Sequence, residues 1–314
     1  MSSFFKPPID IELLLDGEEN RKYVEIPNKK QGITDRFNVY DDGESVSGIV
    51  TLRVRSEGKK VEHMGVKISL IGCIDMRKNS EKRKSSESPL SSNDKAHDTK
   101  SGVDQFLCLT ADLLPSGELV HSQNIKFSFK DVEKRYESYK GTNVEVMYYL
   151  KVTVLRKAAD LVKIKRFWVQ LYESMENYEI KPIRLDIGIE NCLHIEFEYS
   201  KQHYTLSDVI VGRIYFLLTR LKIKHMELSL ITREKINRNN KIFDSNTIRY
   251  EIMDGSPVKG ETIPIRLFLS GYDLVPNMNL NYFSVKHYLS LVIIDEDSRR
   301  YFKQSEIFLH RTRD

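Results

Sequence analysis

Three groups of residues carry side chains that could do chemistry. His63 and His225 stand in matching strings, Val61-Glu62-His63-Met64 and Ile223-Lys224-His225-Met226. Two imidazoles would suit a general base or a metal ligand. Because they occupy equivalent places in a repeat, we expect a shared packing role instead. Asp295-Glu296-Asp297 offers oxygen ligands for a hard cation. It lies between a strand pattern and Ser298-Arg299-Arg300, where a solvated hairpin turn is expected. Lys157, Lys163, Lys165 and Arg166, interleaved with Phe167 and Trp168, would suit phosphates or an anionic membrane, each cation contributing about 1 kcal/mol near such a surface. A solvated strand face is the expected reading.

Motifs with a built-in mechanism are missing. The chain has no G-x-S-x-G elbow, no G-x-x-x-x-G-K-[ST] phosphate loop, no H-E-x-x-H and no G-x-G-x-x-G. Cys73, Cys108 and Cys192 are far apart and form no C-x-x-C pair, which suggests neither a disulfide framework nor a zinc site and fits a reducing cytosol. The expectation is a protein that is not an enzyme, with no catalytic residues, cofactor or metal. A net charge of +4 from 49 basic and 45 acidic residues lacks the excess of a dedicated nucleic-acid binder. Lys6, Pro7 and Pro8 stand where a secretory signal would need an apolar run, and no window approaches the ~20 apolar residues of a membrane span. Membrane association, if any, is therefore expected to be peripheral.

The elements that must position these residues read as strands. Ile9, Ile11 and Leu13 alternate with Asp10 and Glu12; Ile125, Phe127 and Phe129 with Lys126 and Ser128; Ile195, Phe197 and Tyr199 with Glu196 and Glu198. Period two places alternate side chains on opposite faces of a strand. Turn signals recur between the runs: Asp16-Gly17, Asp42-Gly43, Ser116-Gly117, Lys140-Gly141, Asp254-Gly255 and Ser270-Gly271. No long segment shows a sustained helical stripe, so an all-β sandwich architecture is expected, not α/β with its crossover helices.

The halves also resemble each other. Tyr40-x5-Val46-Ser47-Gly48-Ile49 and Tyr204-x4-Val209-Ile210-Val211-Gly212-Arg213-Ile214 each precede a His-Met string, and Val146 to Val152 is echoed by Val285 to Leu291. The expected organisation is a pseudo-duplicated pair of sandwiches, 1–178 and 179–314, with the boundary in the polar stretch Glu173 to Glu179. Arg77 to Lys100, rich in serine and charge, reads as a disordered insertion. Within it Lys82-Arg83-Lys84, with Ser85, Ser86 and Ser88-Pro89, is either a phosphorylation site or an unselected insertion. Asn237 to Asn246 reads as a shorter polar loop.

Several strings identify the chain with a known family. Tyr40-Asp41-Asp42-Gly43-Glu44-Ser45-Val46-Ser47-Gly48, Tyr136-Glu137-Ser138-Tyr139, Cys192 to Tyr199, Asp208 to Gly212, Tyr250-Glu251-Ile252-Met253-Asp254-Gly255 and Arg299 to Gln304 closely resemble the vacuolar protein sorting-associated protein 26 family, the arrestin-like subunits of the endosomal retrieval coat retromer. The resemblance covers nearly the whole chain in order. It implies tandem arrestin-like sandwiches that bind one end of the α-solenoid retromer subunit, which itself carries the metallophosphoesterase-like subunit. It further implies a cytoplasmic coat component, peripheral on endosomes. The docking loop of the family falls on Ile252, Met253, Asp254 and Gly255, where two exposed apolar side chains beside a turn would make sense as an anchor buried by a partner. The same resemblance places membrane-protein cargo tails and a sorting nexin at a seam between the sandwiches and along a strand, at Ile187, Pro264 and Phe302, by addition of a peptide strand to a free edge.

Two departures limit the transfer. The Arg77 to Lys100 segment is longer and more charged than the family pattern, and the chain stops soon after Phe308-Leu309-His310, so functions of a polar tail are not carried over. A second expectation is an arrestin-like adaptor of another sorting or receptor complex. A third, a carbohydrate or lipid-binding sandwich, would need an aromatic-lined cavity, which the single Trp168 does little to support.

Overall fold

The computed structural model describes residues 7–28, 32–55, 60–76, 102–189 and 191–313; the expected insertion at 77–100 lies outside them. The chain divides into two compact units between Leu171 and Tyr172, so Glu173 to Glu179 opens the second. The first unit contains β1 (Ile9–Leu15), β2 (Tyr23–Asn28), β3 (Ile33–Asp41), β4 (Val46–Val54), β5 (Val61–His63), β6 (Gly65–Asp75), β7 (Val103–Leu114), β8 (Gly117–Leu119), β9 (Gln123–Phe129), β10 (Tyr139–Lys140), β11 (Glu145–Leu155) and β12 (Leu161–Gln170). One sheet has the order β1-β4-β9 and another β2-β3-β12-β11-β6-β7, while β5 and β8 pair separately. The second unit contains β13 (Ile183–Ile189), β14 (Leu193–Tyr199), β15 (His203–Thr205), β16 (Val209–Thr219), β17 (Ile223–Ile236), β18 (Lys241–Asp254), β19 (Thr262–Phe268), β20 (Met278–Asn279), β21 (Phe283–Asp295) and β22 (Arg300–His310). Its sheets run β13-β14-β16-β19 and β15-β22-β21-β17-β18. The all-β architecture expected from the alternation is what the chain forms. The alternating residues of β1 are buried at Ile9, Ile11, Leu13 and Leu15 and exposed at Asp10, Glu12 and Leu14, and Ile195, Phe197, Ile214, Leu228, Leu289 and Ile307 from both sheets meet in one core.

The duplication extends to topology. Order β1-β4-β9 matches β14-β16-β19, and β3-β12-β11-β6-β7 matches β15-β22-β21-β17-β18. Each unit has one parallel pairing among its described strands, β3 with β12 and β15 with β22. The repeated tyrosines sit on it: Tyr40 opposite Val169 and Tyr204 opposite Leu309, both fully buried. The repeated glycines have a common cause in close approach of strands. A Cβ on Gly48 would lie 2.1 Å from the Leu14 carbonyl oxygen, and one on Gly212 would lie 2.6 Å from that of Glu198. In the echoed strands β11 and β21, Tyr148 and His287 stand at matching positions and each ties down an irregular segment. The Tyr148 hydroxyl donates to the Tyr136 carbonyl at 2.8 Å, three residues before β10. The His287 Nε2–H donates to the Val275 carbonyl at 2.9 Å, three residues before β20.

Two expectations need correction. The residues from Lys241 to Asn246 are not a loop but the start of β18, and only 237–240 turn, with Asn240 at φ 51°. Their polar side chains made them read as irregular, yet cross-strand pairs hold them: the Arg233 guanidinium grips Asp244 at 2.7 Å through both oxygens, and Thr232 meets Thr247 at 2.7 Å. His63 and His225 do not share a packing role. His63 is 7% exposed at the end of β5, whereas His225 lies half-buried beside Glu227 and Glu251. The family string from Tyr40 to Gly48 is largely a structural lock. Asp42 accepts from the Lys134 backbone N–H at 2.7 Å, Glu44 accepts from the Asp41 N–H at 3.0 Å and pairs with Arg21 at 2.6 Å. The fully buried Lys134 ammonium donates to the carbonyls of Glu44 and of Val132.

Burial lowers the Lys134 pKa to about 8 against the pull of Glu44, Asp42 and Asp41. The unfolded chain therefore binds more protons between that value and the ordinary 10.5, so stability rises with pH in this window, on the order of 2–3 kcal/mol between pH 8 and 10. Burial raises Tyr40 to about 12, so its contribution is lost as pH climbs past 10, where the unfolded phenol ionises. Urea unfolding followed by Trp168 fluorescence should show a maximum near pH 10, and Lys134→Met should flatten the rising limb.

Candidate partner-binding surface

Ile252 and Met253 lie near the end of β18, not in a loop, and both are half-buried instead of exposed. The pairing with β17 explains their placement. Met226 faces Met253 and Glu227 faces Glu251, so Ile252 is the extra residue of a β-bulge. In a regular strand two consecutive residues would point to opposite faces. The bulge lets both pack against the same core, where Ile263 of β19 joins them. The following turn is fixed: Asp254 pairs with His225, Gly255 adopts φ 90° and donates to the Lys224 carbonyl at 2.8 Å, and the Ser256 hydroxyl bridges the Ile223 N–H at 2.7 Å and its carbonyl at 3.1 Å. β18 pairs only with β17 among the described residues, leaving its outer edge free. The rim is charged. His225 Nε2 is 3.6 Å from Glu227 and Nδ1 is 3.8 Å from Glu251, while Arg249 lies 3.4 Å from the same, buried Glu227. Sequence reading missed this carboxylate cluster because its members come from two strands.

The three remaining residues are not brought together. Ile187, 8% exposed, sits on β13 opposite Ile195, at one edge of the four-stranded sheet. Pro264 is on β19, the opposite edge, facing Arg213. Between them the ladder Arg184–Glu198–Arg213 crosses the outer face, with Arg184 Nε 2.6 Å and Arg213 Nη2 3.0 Å from the Glu198 carboxylate. The hydrogen bonds from Arg213 and then Arg184 hold that carboxyl below the usual range. Phe302 is in the other sheet, on β22 opposite Val292, and is 62% exposed. From Arg300 to Ile307, β22 pairs among the described residues only with β21, since β15 joins from Phe308 onward.

The hairpin that presents Phe302 turns at Glu296 and Asp297, which are exposed as a solvated turn requires, but Asp295, the last residue of β21, is not part of that solvated face. Asp295 is buried, accepting from the Arg299 N–H and Nε at 2.8 Å each and from the Tyr301 hydroxyl at 3.2 Å. Burial pushes its pKa up, but these hydrogen bonds together carry it below the ordinary carboxylate value. With Tyr301 packed inward, the next residue, Phe302, must face out. No group of acidic, histidine and cysteine side chains among the described residues suits a metal ion. The basic run is not one face either: Lys165 turns inward to Glu18 at 2.5 Å, Arg166 pairs with Glu145 at 3.1 Å, Lys157 with Glu62 at 3.4 Å, and Phe167 is buried. No helix among the described residues is long and apolar enough to cross a membrane.

Comparison with known proteins gives a consistent result. The family described as vacuolar protein sorting-associated protein 26 matches residues 5–298. Carboxypeptidase Y-deficient protein 8 of Saccharomyces cerevisiae is 56% identical over 100% of both chains. Vacuolar protein sorting-associated protein 26 of Schizosaccharomyces pombe is 46% identical, covering 100% of this chain and 99% of its own. The human vacuolar protein sorting-associated protein 26B is 43% identical over 100% of this chain and 88% of its own.

Proposed function

We propose, because this chain belongs to the vacuolar protein sorting-associated protein 26 family of protein-sorting components, that it works by binding alone, as the arrestin-like subunit of retromer. In this reading it makes and breaks no bond, needs no cofactor and engages no nucleic acid. It docks directly on the end of the α-solenoid subunit, and through it is joined to the metallophosphoesterase-like subunit. With a sorting nexin it captures the cytosolic tails of transmembrane cargo, peripherally on the cytosolic face of endosomes, for retrieval to the Golgi or plasma membrane.

The observation that carries the docking step is the β18 bulge, which leaves two large apolar side chains half-exposed beside a free edge and a fixed turn. Such a pair can seat a helical end in a shallow apolar site while the rigid turn spares ordering entropy. Calorimetry of the full chain against the solenoid subunit tests it: saturable binding is expected, and its absence would move the function to another sorting complex. For cargo, the support is the single-sided pairing of β22 around the exposed Phe302. An extended peptide adding to that edge would place an apolar side chain against Phe302. Phe302→Asp is expected to weaken binding of a cargo-tail peptide by about tenfold or more with an unchanged melting curve; equal affinity in fluorescence anisotropy would refute the assignment.

A further inference from the structure

The first unit holds a pocket of 660 Å³ whose walls include the apolar Val54, Val61, Met64 and Ala158. Two of its lining side chains lack partners. Arg156 Nε and His63 Nδ1 are two of only four buried polar side-chain atoms without a hydrogen bond among the described residues, although His63 is more than nine-tenths buried. Among the described residues the Arg156 guanidinium forms no ion pair, and only its backbone N–H is engaged, by Asp160 at 3.0 Å. The other lining charges are already matched, Lys60 with Glu118 at 3.1 Å and Lys157 with Glu62 at 3.4 Å. One cation is thus left uncompensated beside an unsatisfied histidine. The repeat sharpens the point. His225, at the matching position of the second unit, has carboxylates 3.6 and 3.8 Å from its two nitrogens, both from its own unit. His63 has none.

We propose that this pocket binds a single carboxylate borne on an apolar group, with Arg156 as the counter-ion and His63 as a hydrogen-bond partner. A monoanion fits because, among the described lining residues, Arg156 is the one cation without an ion pair, and its partly buried guanidinium would gain from a charged acceptor. An apolar body fits because Val54, Val61, Met64 and Ala158 supply a hydrocarbon part of the wall, with Met64, 58% exposed, as an adaptable contact. A polypeptide C-terminus ending in an aliphatic residue and a free fatty acid share this chemistry. The site is independent of the docking and cargo strands proposed above.

The test is a titration of the full chain, labelled on methionine methyls, with N-acetyl-leucine, N-acetyl-leucinamide and octanoate, reading the Met64 methyl by NMR. Saturable shifts with the carboxylates, about tenfold weaker for the neutral amide, are expected, and Arg156→Met should weaken the carboxylates by a similar factor. Tighter binding of N-acetyl-leucine would assign a chain terminus and tighter binding of octanoate a fatty acid; either upholds the site. No saturable shift, equal affinity of acid and amide, or unaltered carboxylate binding by folded Arg156→Met would overturn it. If that variant fails to fold, the acid and amide comparison on the wild type still decides.

Discussion

Ile252→Asp combined with Met253→Asn should reduce affinity for the α-solenoid subunit several hundred-fold while leaving the second unit folded. The two side chains share one side of β18 only because Ile252 is the bulged residue, so both would be buried by the same partner surface. Central apolar anchors of this kind contribute about 2 kcal/mol each when truncated, and 1.4 kcal/mol is a factor of ten. Introducing a carboxylate adds a desolvation penalty to the lost contact, and it does so beside Glu251 and Glu227, where a further negative charge is unwelcome. Because both residues also pack on the core, some loss of stability, about 1–2 kcal/mol, is expected. Calorimetry should therefore be accompanied by a thermal melt. Undiminished affinity in a folded double variant would remove the pair from the docking surface. Met253→Leu, which preserves volume and apolarity, should bind close to the parent chain.

The second large effect concerns stability. Gly48→Ala and Gly212→Ala should each destabilise their own unit by about 3 kcal/mol, at the upper end of overpacking penalties, since the new methyl would meet a backbone oxygen and not a movable side-chain end. Gly48 faces Leu15 across β1 and β4, and Gly212 faces Tyr199 across β14 and β16, so relief requires the paired strands to separate. Urea unfolding read by Trp168, which lies in the first unit, should report the loss for Gly48→Ala; the circular-dichroism transition should report it for Gly212→Ala. A change below about 1 kcal/mol in both would mean that the strands can part freely, against the close packing of protein interiors.

These two glycines also mark how much was legible beforehand. The alternation of β1, β9 and β14 announced strands because each buries one face, and the matching order of Tyr, Gly and His-Met strings announced a duplication that the topology repeats. What could not be read was anything resting on partners distant in sequence. Lys134 looks like a surface lysine until the carbonyls of Glu44 and Val132 close around it. Asp295 looks like a turn residue until Arg299 and Tyr301 fold over it. The Ile-Met pair could be placed from resemblance, but its setting could not, because a bulge is a property of two strands and leaves little trace in one. The histidines mislead most. Matching positions in the repeat gave His63 and His225 different surroundings, since the carboxylates that meet His225 come from its own strand and from β18, and among the described residues β5 pairs only with the short β8.

The β6–β7 hairpin has one more implication. Asp75 stands opposite Val103, and the Met76 N–H donates to the Gly102 carbonyl at 2.8 Å, so the chain leaves and re-enters the sheet at adjacent points. The 25 residues from 77 to 101 therefore span a closed gap, and the entropy of closing a loop grows only logarithmically, about 0.6 kcal/mol for each doubling of its length. A change in the length of this stretch should therefore cost the sandwich little, because both of its ends stay fixed by the β6–β7 pairing.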